Sequence, residues 1–495
     1  MRRSSGHSSF WIALTLISGT PRILGVFLLP QAFGDAYAYV HDVAAMSAKM
    51  SARTFSLNDL YGFWLPLYQF ICAVINVLVN QPSYVSRLVS AVFGVGICLL
   101  VYATSMRLTG HRTASLLAFA LIALNPLHVF NSASSMTDVP NAFFVLASVY
   151  FVMQKRWASA AILAALAGFT RVDSWMLIAL IPALQFFEER RVSPVALAIL
   201  IFPPLFWFYI SWKATGDWLA CFVTRKEYMD ALLATNPSLA SFSLFGIARD
   251  IGSLLISTDL AVLAACFVAI WIVIKRMSFP KAEPISEKLQ GVVAIDAYFF
   301  AFLVFIVLAY LTHKQPIIFP RYGLINFALG APLLPWTYLT ITKLKPQIAR
   351  RLLILIIVVC VFDASIQLVG SVGFINKVYA HQAVADYLRA HYQPSSDSHI
   401  FCDDGTVFAL SGIPPERFVS STEAPRDPDG FLAYLKQKNV EYLVFVSNQD
   451  STPVRLFPGL EYADSSEVFE PVMNSHSEFL YTNIWLYRVR PPPGQ

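Results

Sequence analysis

Apolar residues run for about 18 or more positions again and again along this chain, with short polar segments between the runs. Runs of that length read as membrane-spanning helices rather than barrel strands. Hydropathy and length place about eleven spans, near residues 10–30, 84–106, 113–134, 139–154, 157–170, 174–187, 193–212, 259–275, 294–312, 320–341 and 352–370. Those at 157–170 and 174–187 are short, which suits tilt or partial re-entry.

The polar connections then set sidedness. Arg2 and Arg3 precede the first run, Arg107 and Arg112 follow the second, and Lys155 and Arg156 the fourth. Arg190 and Arg191 follow the sixth, Lys275, Arg276, Lys281 and Lys288 the eighth, and Lys343, Lys345, Arg350 and Arg351 the tenth. Every second connection is thus basic, and the positive-inside rule makes these cytoplasmic. Residues 31–83, 135–138, the turn holding Arg171 and Asp173, residues 213–258, 313–319 and everything after about 371 face outward. The stretch GFWLPLYQFICAVINVLVN (62–80) is also apolar. Counted as a span it would put basic loops on both sides, so it reads as a helix at the outer interface, anchored by Tyr61, Trp64 and Tyr68.

Beyond residue 371 the pattern changes. Turn clusters (PSSD, APRDPDG, SNQD), β-like runs (HIFC, EYLVFV, IWLYRV) and helical stretches (HQAVADYLRAHY, GFLAYLKQK) alternate, as in a small α/β domain. The expected fold class is an α-helical polytopic membrane protein with a small C-terminal α/β domain. Residues 1–371 form the membrane domain, with large outer loops at 31–83 and 213–258, and residues 372–495 the extracytoplasmic domain. The end, RPPPGQ, reads as disordered.

Composition narrows the class. Of 495 residues 56% are hydrophobic and 14% charged, with a mean hydropathy of +0.57; soluble proteins carry about 25% charge. The net charge of +5 adds little, and no nucleic-acid partner is expected. Six cysteines show no CxxC and read as small hydrophobes. The start, MRRSSGHSSFWIALTLISG, looks like a signal peptide, but it lacks a small-x-small cleavage site and its apolar run continues to Pro30. It reads as an uncleaved first helix with a cytoplasmic N-terminus.

Four polar features stand on the expected outer side: Asp35 in AFGDAYAYV, Asp138 in SSMTDVPN, Arg171 with Asp173 in GFTRVDSW, and His313, Lys314, Arg321 and Tyr322 in THKQPIIFPRYG. Each has a structural alternative. Asp35 and Asp138 suit helix caps, Arg171 and Asp173 an interfacial ion pair, and Arg321 a snorkelling side chain. Together, carboxylates and cations on one membrane face suit chemistry between a lipid-borne donor and an outer substrate. A desolvated carboxylate suits a general base, and a cationic cluster at headgroup level suits phosphate. Asp42 lies on the same helical face as Asp35, two turns on. Arg22, mid-run in the first span, has no assigned role, although buried Arg is expensive. Asp403 and Asp404 read as a turn, and His381, His391 and His399 as solvent-facing.

The chain resembles the GT-C glycosyltransferases, in particular the branch of protein O-mannosyltransferases and lipid A aminoarabinose transferases. FGDAYAYVHDVAAM is similar to that family's first outer loop. The stretch from SRLVSAVFGVG to TDVPNAFFVLA carries the Arg opening helix two, the L-T-G-H-R turn, the late N-P of helix three and the T-D-V-P, while PRYGLINFALGAPLLP resembles the R-Y motif opening a late helix. The resemblance covers residues 10–345. It implies a polyprenyl-phosphate sugar donor and a glycan, lipid or protein acceptor. It makes Asp35 the base and Asp138 the residue that orients the acceptor or the catalytic loop. Arg321, with Lys314 and Arg171, would hold the departing phosphate in a single inverting displacement, and Tyr322, His313 and Asp173 would complete the substrate-binding set. Relatives often have Asp-Glu at the first acidic site, whereas here Ala36 follows Asp35, and a D-x-D is absent after helix three. No metal or other cofactor is therefore expected. A bacterial inner membrane is the expected location. A transporter or flippase, or a family member that has lost activity and serves assembly, are the competing readings; the asymmetric layout and large outer loops speak against transport.

Overall fold

The computed structural model describes residues 5–31, 33–235, 243–277, 287–312, 317–393, 397–421, 423–447, 451–462, 468–477 and 482–490. Lys281, His313, Lys314 and the end of the chain from 491 lie outside them. The chain divides into two compact units. One comprises Met1–Leu29, Val40–Thr224 and Ser243–Leu368; the other comprises Pro30–Tyr39, Arg225–Phe242 and Val369–Gln495.

The first unit is a helical membrane bundle. Its helices are α1 (Ser5–Leu28), the greater part of α2 (Gly34–Ser51), α3 (Leu67–Val79), α4 (Pro82–Thr109), α5 (Arg112–Ala123), α6 (Pro126–Ser132), α7 (Asp138–Val152), α8 (Trp157–Gly168), α9 (Leu177–Glu189) and α10 (Pro194–Thr215). The start of α11 (Ala220–Thr235) follows, then α12 (Leu244–Ser257), α13 (Leu260–Met277), α14 (Glu287–Leu311), α15 (Gly323–Gly330), α16 (Leu333–Leu344) and the start of α17 (Ala349–His391). Among the described residues, five single helices are long and apolar enough to cross a membrane. Three helix pairs qualify only if each is taken as one bent span: α5–α6 (61°), α12–α13 (84°) and the 320–330 and 333–344 helices (49°). Seven of these coincide with expected spans; of the α12–α13 pair only α13 does, since α12 lies within the expected outer loop 213–258. The other three, near 139–154, 157–170 and 174–187, correspond to α7, α8 and α9, of 15, 12 and 13 residues. A multi-pass integral membrane protein results, its outer faces covered by side chains such as Leu16, Phe27, Ile354, Val358 and Phe362.

The bundle's interior is built by α4, α5, α7, α8, α13, α14 and α15, through residues such as Ile97, Phe119, Val145, Ala161, Cys266, Phe299 and Phe327. In lipid, packing rather than water exclusion drives helix association, so small residues let backbones approach. Ala160, Ala161, Ala164 and Ala167 do this on α8, and the Ser148 hydroxyl of α7 donates to the Ala160 carbonyl at 2.9 Å.

Breaking a helix inside such an interior strands backbone carbonyls, and each must find a donor. At the α5–α6 break, ahead of Pro126, Arg22 supplies it. Its guanidinium donates to the carbonyls of Ala123 (3.1 Å), Ile122 (3.3 Å) and Ser18 (2.6 Å), and to His128 Nδ1 (2.7 Å). Arg87 closes the far end of α6, donating to Ala133 (2.7 Å), Gly25 (2.8 Å) and Leu29 (2.6 Å) carbonyls. A Cβ at Gly94 would sit 2.7 Å from Ser132 Cβ and 2.9 Å from Arg22 Nε, so glycine is what admits this close approach. The second break is met by carboxylates: Asp363 accepts from Leu260 N at 2.7 Å, and Asp259 from Ala261 N and Val262 N.

Tyr68, expected as an interface anchor, is instead 1% exposed. Its hydroxyl donates to Ser86 O and pairs with Ser90, because the amphipathic α3 turns that face onto α4 and leaves Val74, Leu78 and Val79 outward.

The second unit contains a five-stranded sheet in the order β2-β1-β3-β5-β4. The strands are β1 (His399–Cys402), β2 (Phe418–Val419), β3 (Val440–Val446), β4 (Phe469–Ser477) and β5 (Thr482–Val489). β1 runs parallel to β2 and β3, and β5 antiparallel to β3 and β4. One face packs on Val384, Ala385 and Leu388 of α17. The other packs on Phe431 and Leu435 of α19 (Pro428–Gln437), the helix α18 (Gly405–Ser411) lying between β1 and β2 in sequence. β4 has no strong sequence signal: it contains Pro471 and polar residues, tolerated because it is an edge strand.

His381 is 1% exposed, not solvent-facing, and Asp403 and Asp404 do more than turn the chain. Asp404 caps α18, accepting from Thr406 N (2.8 Å) and Val407 N (3.1 Å), and pairs with His381 Nε2 at 2.9 Å. Asp403 accepts from Ser421 N at 2.7 Å. Burial pushes the Asp404 carboxyl up, but the His381 bond and charge, with Lys377 and the helix amides, outweigh it and hold the group down at about 2.

Two outcomes are expected. Arg22→Leu strands the carbonyls of the α5–α6 break, at about 1–3 kcal/mol for each unmet group, and should lower the melting temperature and monodisperse yield in detergent; unchanged melting would contradict the staple. Asp404, whose folded pKa lies below the ~3.9 of an unfolded Asp, contributes stability that is complete above about pH 4 and is lost as the pH falls toward 2. Asp404→Asn should therefore melt earlier than wild type at pH 7, and the gap should narrow as the pH falls from about 4 toward 2.

Candidate active site

Three segments of the helical unit converge where α7 begins. Asp138 is the first residue of α7. It is not the cap of that helix: Thr137 holds the N-cap position, and the carboxylate turns to two arginines instead. One oxygen of Asp138 accepts from Arg171 Nη1 at 3.0 Å, and the other lies 3.8 Å from Arg321 Nε. Arg171, which opens the short 3-10 turn Val172–Met176, also binds Asp173 through Nε at 3.1 and 3.3 Å. Tyr322 lies between the arginines, its ring centroid 5.5 Å from the Arg171 guanidinium carbon and 5.6 Å from that of Arg321. Phe319 covers Arg321 at 4.4 Å.

Local sequence explains this convergence. Arg321 lies in the 3-10 turn Pro320–Tyr322, and Gly323 follows. A Cβ at Gly323 would clash with the Ser257 hydroxyl and stand 2.8–2.9 Å from the Ser257 and Thr258 backbone, so a larger residue would push the Arg321 turn off the α12–α13 break. The Arg171 turn is tied to α7 by the Ser174 hydroxyl, which donates to the Asn141 side-chain oxygen at 2.8 Å. Asn141 sits one helical turn after Asp138 and shares its face. The TDVPN motif held that signal, but only its aspartate drew attention. The turn ahead of Asp138 is fixed by Ser90, which donates to the Met136 carbonyl at 3.3 Å and links back to Tyr68.

Asp138 and Arg321 are almost fully buried, with side chains 5% and 7% exposed, whereas Arg171 is 25% exposed. Two guanidiniums and two carboxylates balance in formal charge. The carboxylates hold the arginines in place, and Arg171 presents its guanidinium to the surroundings. Such an arrangement suits an anion whose charge grows during reaction, because guanidinium meets phosphate in a planar, bidentate manner.

Of the residues singled out from sequence, the structure thus brings together Asp138, Arg171, Asp173, Arg321 and Tyr322. Asp35 belongs to the segment Pro30–Tyr39 of the second unit. It lies half-buried in the first turn of α2. Within that unit Phe33 packs on Phe374 at 5.3 Å, the Tyr37 hydroxyl donates to Gln31 O at 2.9 Å, and Gly34 lies beside Thr406. His313 and Lys314 lie outside the described residues. Asp42 is half-buried on α2, in the first unit, where burial pushes its carboxyl up to about 6 against the lowering charge of His41.

Known proteins share this architecture. The family profile for dolichyl-phosphate-mannose-protein mannosyltransferase matches residues 33–184. Two crystal structures of ArnT from Cupriavidus metallidurans superpose over nearly the whole chain. The one bound to undecaprenyl phosphate has a TM-score of 0.55 at 11% identity, covering 99% of this chain and 100% of that one. The apo one has a TM-score of 0.56 at 12% identity, covering 98% of each. No curated protein matches in sequence. At these identities the structural likeness establishes the fold.

Removing Asp138 would leave two guanidiniums facing each other without their shared carboxylate. Asp138→Ala should cost about 3–5 kcal/mol, the usual penalty for breaking a buried pair. Arg171→Ala, at a more exposed partner, should cost less. In thermal melts the double variant should destabilise by less than the sum of the two single ones; strict additivity would show that the pair does not couple.

Proposed function

We propose that this chain, which has the fold of the GT-C superfamily of membrane glycosyltransferases, transfers a sugar from a polyprenyl-phosphate donor to an acceptor on the extracytoplasmic face of a membrane. The observation that carries this reading is the pairing of Arg171 and Arg321 across Tyr322 on the shared carboxylate of Asp138. Two further findings support it. The family profile runs across Asp35, Asp138 and Arg171, and one of the ArnT structures of this fold holds undecaprenyl phosphate.

In the proposed reaction the acceptor's hydroxyl or amine loses its proton to Asp35 as it attacks the anomeric carbon. The new bond forms on the face opposite the leaving group, so the configuration inverts. The bond from the anomeric carbon to the phosphate oxygen breaks, and its electron pair leaves with the polyprenyl phosphate. Arg321 and Arg171 stabilise that growing charge, Tyr322 keeps their planes apart, and Asp138 and Asp173 keep them oriented. Fixed donors aimed at developing charge lower the barrier because they need no reorganisation. No step passes through a metal. The site faces the periplasm if the membrane is a bacterial inner membrane, with the N-terminus in the cytoplasm.

The two roles separate experimentally. Asp35→Asn should lower the transfer rate by about 10²–10⁴-fold, the range of general-base catalysis, while binding of undecaprenyl phosphate to the purified protein stays unchanged. Arg321→Ala should weaken that binding at least tenfold. Full transfer by Asp35→Asn removes it as the base, and full lipid binding by Arg321→Ala removes the arginine pair as the phosphate site. Lipid binding without transfer by the wild-type protein would favour the assembly-partner reading.

A further inference from the structure

Within the helical unit, α2, the segment that follows it and the start of α3 enclose a cavity of about 90 Å³. That is room for about six ordered waters, or for one sugar ring in their place. Asp42, Lys49, Asp59, Tyr61, Trp64 and Gln69 are among its lining residues.

Their chemistry is selective. Gln69 is 1% exposed, yet its side-chain carbonyl oxygen has no hydrogen-bond partner among the described residues. A buried acceptor left unmet is costly, and an amide facing a cavity supplies both donor and acceptor to a ligand. Asp59 is already engaged, accepting from Lys49 and from the Ser56 amide at 2.7 Å. The pair cancels its own charge, and Asp42 leaves the cavity slightly negative, so an anion such as phosphate is disfavoured there. Tyr61 is fixed by stacking on Trp207, with centroids 5.8 Å apart. Aromatic faces for C–H bonds beside an amide and a carboxylate for hydroxyls form the mixed lining that binds a small polyhydroxylated ring. The cavity also adjoins the arginine cluster in the chain. Next to the lining residue Pro66, Leu67 N donates to Phe169 O at 3.2 Å, two residues before Arg171.

We propose that this cavity is a subsite for a neutral sugar ring, with Gln69 and Asp42 bonding its hydroxyls and Trp64 covering its apolar face. The choice of a sugar rests on the glycosyltransferase reading. The ring belongs either to the donor or to the acceptor, and kinetics tells them apart.

The test is saturation-transfer NMR on the full chain in a detergent without a sugar headgroup, with methyl α-D-mannopyranoside and methyl β-D-xylopyranoside as probes and inorganic phosphate as the contrasting ligand. Saturation of at least one glycoside, unaffected by phosphate and reduced at least fivefold in both Gln69→Leu and Asp42→Ala, is the expected result. Asp42→Ala, at a half-buried position on α2, keeps the test open should Gln69→Leu not fold. No saturation of either glycoside, or saturation equal to wild type in a folded variant, overturns the subsite. Undecaprenyl phosphate binding by the same samples reads the arginine cluster separately. Its survival alongside absent glycoside binding rejects the subsite alone; its loss alongside intact glycoside binding rejects the phosphate site alone. In turnover, a raised KM for the polyprenyl-phosphate sugar in Gln69→Leu assigns the ring to the donor and a raised KM for the acceptor assigns it to the acceptor. Both values unchanged would again overturn the subsite.

Discussion

In an apolar bundle, a break in a helix is permitted only if the freed backbone groups find partners within the protein. The site described above depends on that constraint being met at the α5–α6 kink. Asn125 and Pro126 interrupt the helix, Arg22 takes up the stranded carbonyls, and Arg87 clamps the end of α6 to the end of α1. The turn that follows leads directly into Asp138. Two buried arginines that touch no substrate in the proposed reaction thus set where its carboxylate stands. The same logic governs the 84° break between α12 and α13, where Asp363 and Asp259 cap the second helix. The Gly323 contact rests the Arg321 turn on that break.

Positioning of this kind is needed because the site has little charge to spare. Asp138 and Asp173 cancel the formal charge of Arg171 and Arg321, and a guanidinium fully occupied by carboxylates would hold a phosphate poorly. The graded burial resolves this. Arg321 is nearly enclosed and serves as a fixed positive centre, while Arg171 is a quarter exposed. Tyr322 touches both guanidiniums with its ring, which attracts cations without consuming their N–H donors.

The helical bundle was legible in the sequence, because apolar length is a simple signal. The T-D-V-P, R-V-D and P-R-Y motifs each announced a polar group at a helix end, and those ends do meet. What was not legible concerns partners. Tyr68 read as an interface anchor because its neighbours are apolar, yet its hydroxyl is consumed inside by Ser86 and Ser90. His381 read as solvated because it lies in a polar stretch, yet it pairs with Asp404 across 23 residues of chain. The grouping of the Asp35 segment with the C-terminal unit was equally hidden, since the aromatic contact involved joins Phe33 to Phe374. Local pattern reports burial; it does not report which distant residue supplies the bond.

Buried arginine shows the same limit in its sharpest form. From sequence, Arg22, Arg87, Arg171 and Arg321 are alike: each is a costly charge in or beside an apolar run, and each invites a functional reading. The structure sorts them by what their guanidiniums meet. Arg22 and Arg87 are bonded to backbone carbonyls at helix ends, partial negative charges that belong to the fold. Exchanging those carbonyls for a ligand would unfold the kink. Arg171 is hydrogen-bonded to side-chain carboxylates and Arg321 is ion-paired with one at 3.8 Å, a hold that can be shared with an arriving anion while the backbone stays in place. A guanidinium committed to carbonyls is therefore a staple, and one committed to a movable carboxylate is available for chemistry. That distinction, rather than burial or charge alone, is why the arginine pair beside Tyr322 is the one proposed as the phosphate site.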